Sequence, residues 1–342
     1  MQKQSKILIV RTDRLGDLVL STPVINNLRL FYPKAHIAFM CRPYTRGALE
    51  GNPKLDEVIV YDKYGKQKSF WASIKFSFYL RKKKFDLVFI LHPTNRVHWI
   101  TFLAGIPKRI GWDKKLSVLL TKRVKHRKQE GKKHELEYTL DILRAVDIPI
   151  KSKDTYFPIT PEVEARIEQL LKNKGIEEGD KFIVIHPSSS CISKRWPEEN
   201  FLKLIGLLRN RLSFKIIVIT SQEERKFGEK LVSETGVIDL RGSLSISEVG
   251  ALLKQAALFI SNDSGPVHIA DSFNIPVISI FGRGDSGLSP LRWGPRGKMS
   301  FCFHKDPGCI KCLAHDCIKD FRCLREITPS EVVEKSVSFF KI

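Results

Sequence analysis

The chain has 342 residues, 42% hydrophobic and 10% aromatic, which is enough apolar surface for two ordinary domain cores and too much for a disordered chain. Its 58 Lys and Arg face 37 Asp and Glu, and the formal net charge of +21 asks for an anionic partner: nucleic acid, a membrane surface or an acidic substrate. No apolar run approaches the ~20 residues of a membrane span, and the start, MQKQSKILIVRTD, lacks a signal-peptide pattern, so the chain reads as cytosolic.

Short continuous β-branched runs alternate with amphipathic stretches from end to end, the pattern of parallel strands buried on both faces. In the first half the predicted strands are KILIV (6–10), AHIAFM (35–40), EVIVY (57–61) and FDLVFIL (85–91). The first leads into a loop carrying Arg11, Asp13, Arg14 and Asp17. Loops at strand carboxyl ends of open α/β sheets form the ligand crevice, so Asp17 is either a catalytic or binding group or a cap for the next helix. Pro23 either kinks that helix or makes Thr22 its cap, with proline in the first helical position. Residues 66–86 mix Phe70, Trp71, Phe76, Phe78 and Tyr79 with basic side chains, which suits a helix lying on an anionic bilayer or a core helix. Residues 108–133 hold eleven Lys and Arg against Asp113 and Glu130. They read as a loop that binds phosphates and carboxylates, or as a flexible solvated run.

The aperiodic, proline-punctuated stretch IPIKSKDTYFPITP puts a domain boundary near residue 155. Beyond it the predicted strands are KFIVIHP (181–187), KIIVIT (215–220), VIDL (237–240), LFISND (258–263) and PVISIFG (276–282), with helices over 160–174, 197–212 and 265–274. Two loops are built for phosphate. HPSSSCISKRWPEENF (186–201) offers small hydroxyls, including Ser188 and Ser189, then Lys194. SNDSGPVHIADSFNIP (261–276) runs from Asp263, Ser264 and Gly265 into a helix whose free N–H groups and dipole favour an anion. His268, one turn in, faces the ligand or packs. GRGDSG (282–287) fits a dinucleotide fingerprint, but the following LSPLRWGPRG cannot open the required helix, so that site is rejected. Cys309, Cys312, Cys317 and Cys323 have near-zinc spacing, with His304 and His315 close by, and form either a knot of buried thiols or a zinc site. The tail TPSEVVEKSVSFF starts a capped helix at Thr328.

These patterns predict an α/β chain of two Rossmann-like, doubly wound parallel-sheet domains facing across a cleft, over 1–155 and 156–325, with a closing helix in 326–342.

Three segments, ILIVRTDRLGDLVLSTPVINNLR, SKRWPEENFLKLIGLL and FISNDSGPVHIADSFNIPVISIFG, together resemble glycosyltransferase family 9, the heptosyltransferases of lipopolysaccharide core assembly. The resemblance implies a GT-B fold, with the acceptor on the first domain and a nucleotide-sugar donor on the second. It implies that Asp17 is the catalytic base and that Ser188, Ser189, Lys194, Asp263, Ser264, Gly265 and His268 hold the donor, with Gln222 or Glu223 at the nucleoside. Arg11 and Arg14 become acceptor or loop-orienting charges, Lys122 and Arg123 acceptor candidates, Asp13 stays unassigned, and the closing helix is expected to pack back on the first domain. The implied reaction is an inverting transfer, heptose from ADP-heptose, to a lipid-linked inner-core acceptor. It needs no resident cofactor, because a lysine and a helix dipole stand in for a divalent cation. The expected protein is a monomer touching the anionic inner membrane from the cytoplasmic face. Gly282-Arg283-Gly284 departs from the family's usual Gly-Pro-Thr, which weakens the donor contact expected there. Competing readings are a nucleic-acid binder, for which no recognition signature exists, a GT-B nucleotide-sugar epimerase, and a transferase with another sugar donor.

Overall fold

The structure is a computed structural model and describes residues 5–309 and 312–340. Residues 1–4 of the amino-terminal stretch and 341–342 of the closing segment lie outside the described residues. Two compact units emerge, one from residues 1–129 and 133–158, the other from 130–132 and 159–342.

The first unit opens with β1 (Lys6–Val10), α1 (Leu15–Val19), α2 (Thr22–Phe31), β2 (His36–Cys41) and β3 (Glu57–Val60). It continues with α3 (Phe70–Lys83), β4 (Leu87–Ile90), α4 (Asn95–Leu103), β5 (Lys108–Trp112), β6 (Lys122–Val124) and α5 (Glu135–Arg144). Its six strands are all parallel, in the order β3-β2-β1-β4-β5-β6. β1 is buried from Ile7 to Val10 because helices cover both faces of a parallel sheet. One core face joins Leu8, Val10, Met40, Val88 and Ile90 to Phe76 and Leu80 of α3 and Val97 and Ile100 of α4.

The second unit holds α6 (Pro161–Asn173), β7 (Phe182–His186), α7 (Glu198–Arg211), β8 (Lys215–Val218), α8 (Glu229–Thr235) and β9 (Ile238–Asp239). Then come α9 (Ile246–Gln255), β10 (Leu258–Asn262), α10 (Gly265–Ser272), β11 (Val277–Phe281), α11 (Pro290–Trp293), β12 (Ser300–His304), α12 (Arg322–Arg325) and α13 (Pro329–Ser338). The order β12-β11-β10-β7-β8-β9 repeats the first unit's winding, with β7 in the place of β1.

Several expectations change. The basic stretch 108–133 is not one loop: β5 and the edge strand β6 run through it. Lys128, part of the same run, is buried. Interrupted apolar positions and the lysines at the strand starts hid both strands. Thr22 does not cap α2; it is the first helical residue, and its hydroxyl donates to Val19 O at 2.7 Å. After GRGDSG the chain makes only the four-residue α11. The closing helix is α13, which starts in a capping box of Thr328 and Glu331. Val332, Val333 and Val337 bury it in the second unit's core beside α7. No helix among the described residues is long and apolar enough to cross a membrane.

Candidate functional site

In each sheet the winding reverses beside the first strand, and ligands of open α/β sheets sit outside the strand carboxyl ends at that switch point. In the first unit the switch lies between β1 and β4, where the chain places Arg11, Thr12, Asp13 and His92.

Asp17 lies inside the short helix α1 and caps nothing; the residue ahead of that helix is Arg14, which makes no capping side-chain bond. Arg11 is buried and donates to Asp17 Oδ1 at 2.5 Å, to Asp13 at 2.9 Å, to Glu135 Oε1 at 3.2 Å and to Thr139 Oγ1 at 3.3 Å. Burial opposes the guanidinium charge, yet Asp13, Asp17 and Glu135 raise its proton affinity further. Glu135, first residue of α5, also accepts from buried Lys128. Asp13, Asp17 and Glu135 thus gather around Arg11, and Glu135 also around Lys128. Burial first, and Asp13 next, push Asp17 up to about 6 against the pull of Arg11. His92 is pushed down to about 4 by burial and by Arg11 and Lys63, so its imidazole is neutral and weakly basic. Of the two, Asp17 holds a proton more tightly and is the stronger base.

Arg11, expected among the acceptor contacts, has its donors engaged inside this cluster, which makes it the group that orients Asp17. Asp13 helps to hold the same arrangement, since it accepts from Arg11 while its main-chain carbonyl accepts from the Tyr44 hydroxyl at 3.0 Å. Arg14 is exposed. Lys122 and Arg123 are exposed on β6, at the far edge of the sheet from β1. Beside the Asp17 loop, a cavity of about 340 Å³ is lined by Thr12, Tyr61, Lys63, Tyr64, Lys68 and Arg96, among others. Lys63 Nζ donates to Thr12 O at 2.8 Å. Sequence reasoning missed this cationic cavity, because its three cations come from a loop and the start of α4, segments with no motif.

In the second unit the switch lies between β7 and β10. His186 ends β7 and is buried; burial pushes its ring down to about 4, so it is neutral. It bridges Ser261 Oγ at 3.2 Å and Ser188 Oγ at 3.1 Å. Ser188 donates to Glu224 Oε2 at 2.8 Å, and Ser261 meets Ser264 Oγ at 2.8 Å. A hydroxyl–imidazole chain therefore ties the loop after β7 to the amino end of α10. Ser189 Oγ donates to Asp263 O at 3.3 Å. Lys194 Nζ pairs with Asp263 Oδ2 at 2.5 Å. Asn262 clamps both loops, donating to Pro187 O at 2.6 Å and accepting from the Trp196 amide at 3.0 Å. Gly265 opens α10, Ser264 precedes it, and His268 is buried one turn in.

Ser188, Ser189, Lys194, Asp263, Ser264, Gly265 and His268 thus converge at one sheet end. Gln222 and Glu223 are exposed on the loop after β8, and it is Glu224, not singled out from the sequence, that reaches Ser188. Gly282, which opens the Gly282-Arg283-Gly284 segment after β11, has no room for a side chain: a Cβ there sits 2.7 Å from Ser193 O and from Leu324 Cγ. A second cavity of about 530 Å³, lined by Arg166, Leu170, Leu240 and Glu248, contains none of these residues. The cysteine cluster is not a buried knot: Cys309 is exposed, and Cys312, Cys317 and Cys323 are half-buried thiols. No group of three or more His, Cys, Asp or Glu among the described residues is arranged to hold a metal.

The model of glycosyltransferase family 9 (heptosyltransferase) matches residues 74–321. Lipopolysaccharide heptosyltransferase 3 of Escherichia coli is 29% identical over 286 residues, covering 79% of this chain and 81% of that protein. Lipopolysaccharide heptosyltransferase 2 of Escherichia coli K12 is 22% identical over 345 residues, covering 96% and 97%. The crystal structure of a family 9 glycosyl transferase from Veillonella parvula has a TM-score of 0.86 at 22% identity, covering 99% of this chain and 98% of that one. The Escherichia coli heptosyltransferase WaaC with ADP-2-deoxy-2-fluoro heptose has a TM-score of 0.72 at 19% identity, covering 98% and 100%. The two six-stranded parallel sheets are those of a GT-B fold.

Proposed function

The chain belongs to glycosyltransferase family 9 and is a glycosyltransferase, and from that premise we propose that it moves heptose from ADP-heptose onto a lipopolysaccharide inner-core acceptor, with inversion. The observation that carries this reading is Asp17: a carboxylate at the switch point of the first sheet, gripped by a buried arginine and pushed up to about 6.

The acceptor is assigned to the first unit and the donor to the second. The acceptor hydroxyl gives its proton to Asp17 as its oxygen bonds to the anomeric carbon. The bond from that carbon to the diphosphate oxygen breaks on the opposite face, which inverts the configuration. One base suffices, since no enzyme-bound intermediate forms. Negative charge then grows on the departing diphosphate. Lys194 and the amino end of α10 are the groups assigned to it, fixed in place before the reaction, where such charges act most strongly. Lys194 pairs with Asp263, and a diphosphate offers it a richer set of oxygens. Lys63, Lys68 and Arg96 are assigned to the anionic groups of the acceptor, and Glu224 replaces Gln222 and Glu223 as the candidate beside the nucleoside. The working protein is taken as a monomer in the cytoplasm, meeting its lipid-linked acceptor at the inner membrane, with no resident cofactor.

The test is Asp17→Asn, assayed for heptose transfer from ADP-heptose to a truncated core lipid. The expected loss in kcat is about 10²–10⁴-fold. A folded variant with near-normal turnover removes Asp17 as the base.

A further inference from the structure

We propose that the outer face of α3 is a docking surface for an anionic lipid bilayer. Helix α3 carries large apolar side chains on two opposite faces. Ser73, Phe76, Ser77 and Leu80 are buried against the first unit's core. On the opposite side, Trp71, Lys75, Phe78 and Lys82 follow at helical spacings of four, three and four, and all are exposed. Trp71 is 77% exposed and Phe78 54%. A packed helix of a globular domain ordinarily turns a charged face outward. Here aromatic rings alternate with lysines on that face.

The patch is wider than one helix. Phe70, 60% exposed, stacks edge-on against Trp71 at 5.8 Å and meets Trp99 of α4 at 5.5 Å. At its last turn α4 exposes Phe102, with the Arg109 guanidinium over its ring at 5.3 Å, and Leu103. Exposed rings gathered on two neighbouring helices in this way mark an interaction site.

Charge selects the occupant. From Phe70 to Phe85 there are five Lys and Arg and no acidic residue, and among the described residues only Lys83 of these is paired, with Glu57. Asp86, just beyond, accepts from the Lys6 amide at 2.8 Å. A protein partner surface carries both signs. A sheet of acidic headgroups over a hydrocarbon layer matches both halves of this surface, with the rings at the headgroup level and the lysine stems extended to the phosphates. The inference leans on the transferase reading only for its setting, a lipid-linked acceptor. The binding itself requires no acceptor and no turnover.

The experiment is co-sedimentation of the full chain with vesicles of phosphatidylglycerol in phosphatidylcholine, and with phosphatidylcholine alone. Binding is expected to the anionic vesicles only, and to weaken steeply between ~0.1 and ~0.5 M salt as the charges are screened. Trp71→Ser with Phe78→Ser should lower the partition coefficient about tenfold or more, since each ring adds a large apolar area. Lys75→Glu with Lys82→Glu should abolish the preference for anionic lipid. All four side chains are exposed, so both double variants should melt with the parent and turn over a delipidated acceptor at the parent rate. No binding to anionic vesicles overturns the proposal, and so does binding that the aromatic variant leaves unchanged. A concentration-dependent dimer that the aromatic variant dissolves also overturns it, by making the face a contact between copies. Failure of heptose transfer with intact vesicle binding counts against the transferase reading alone.

Discussion

Asp17 is set by its neighbours more than by its own loop. Arg11 and Lys128 are cations of the group, Asp13, Asp17 and Glu135 its carboxylates, and His92 and Tyr44 face it from outside. Glu135 raises the proton affinity of Asp17, whereas Lys128 lowers it. Glu135→Gln is therefore expected to move the acid limb of the kcat/KM pH profile below its parental position near pH 6, and to slow transfer by weakening the base. An unmoved limb, measured from pH 5 to 9, refutes that coupling. The variant also leaves Lys128 buried without its partner, which should cost about 3 kcal/mol in urea unfolding. Asp17→Asn should behave in the opposite way. The folded pKa of Asp17, about 6, lies above its ordinary 3.8, so the fold favours the protonated form. Stability from this group is full below about pH 4 and is lost as pH rises through about 6. An uncharged asparagine, with Arg11 still held by Asp13 and Glu135, should melt no lower than the parent at pH 8, so the activities of the two can be compared directly.

At the scale of elements, the donor candidates rest on two loop-to-helix transitions. Trp196 fixes one: its ring is buried, and its Nε1 donates to Ile327 O at 3.0 Å, which anchors the loop carrying Lys194. Arg195 fastens the same loop from the other side, donating to Ser189 O at 2.7 Å with its guanidinium over Phe227 at 3.9 Å. The second transition is β10 into α10, where Pro266 suits the first turn because its missing N–H has no partner to lose. Lys194→Met keeps the stem and removes the charge, leaving Asp263 without its ion pair. The expected result is a drop in kcat/KM for the nucleotide sugar of about 10²-fold, with kcat falling as well as affinity. A change confined to KM would reduce Lys194 to ground-state binding.

At the scale of the molecule, each unit has its own sheet and core, so the two can respond to ligands separately. ADP is expected to stabilise the second unit by about 2.7 kcal/mol at a hundredfold excess over its Kd. Differential scanning calorimetry should show the transition of that unit rising with ADP, while a polynucleotide shifts neither. A rise with polynucleotide alone would return the excess positive charge to nucleic-acid binding.

Much of this was legible in the sequence, because parallel strands buried on both faces read as unbroken apolar runs. That is why KILIV, KFIVIHP and LFISND sit within a residue or two of β1, β7 and β10, and why the loops after them stood out as candidates. Strands β5 and β6, at and next to the sheet edge, were hidden, since several of their residues face water and carry charge. The local chemistry of Asp17, Lys194, Asp263, Ser264 and Gly265 was likewise written in short motifs. Their partners were not. Arg11 and Glu135 lie 124 residues apart, and Ser188 and Glu224 36 apart, so only the winding of the sheets could bring them within hydrogen-bonding distance. The sequence by itself determined two wound sheets and where their candidate ligand loops fall, because strand burial and helix starts are local properties. Only the tertiary structure decided which charges share the buried space around Asp17, because desolvation and ion pairing depend on neighbours that no local pattern encodes.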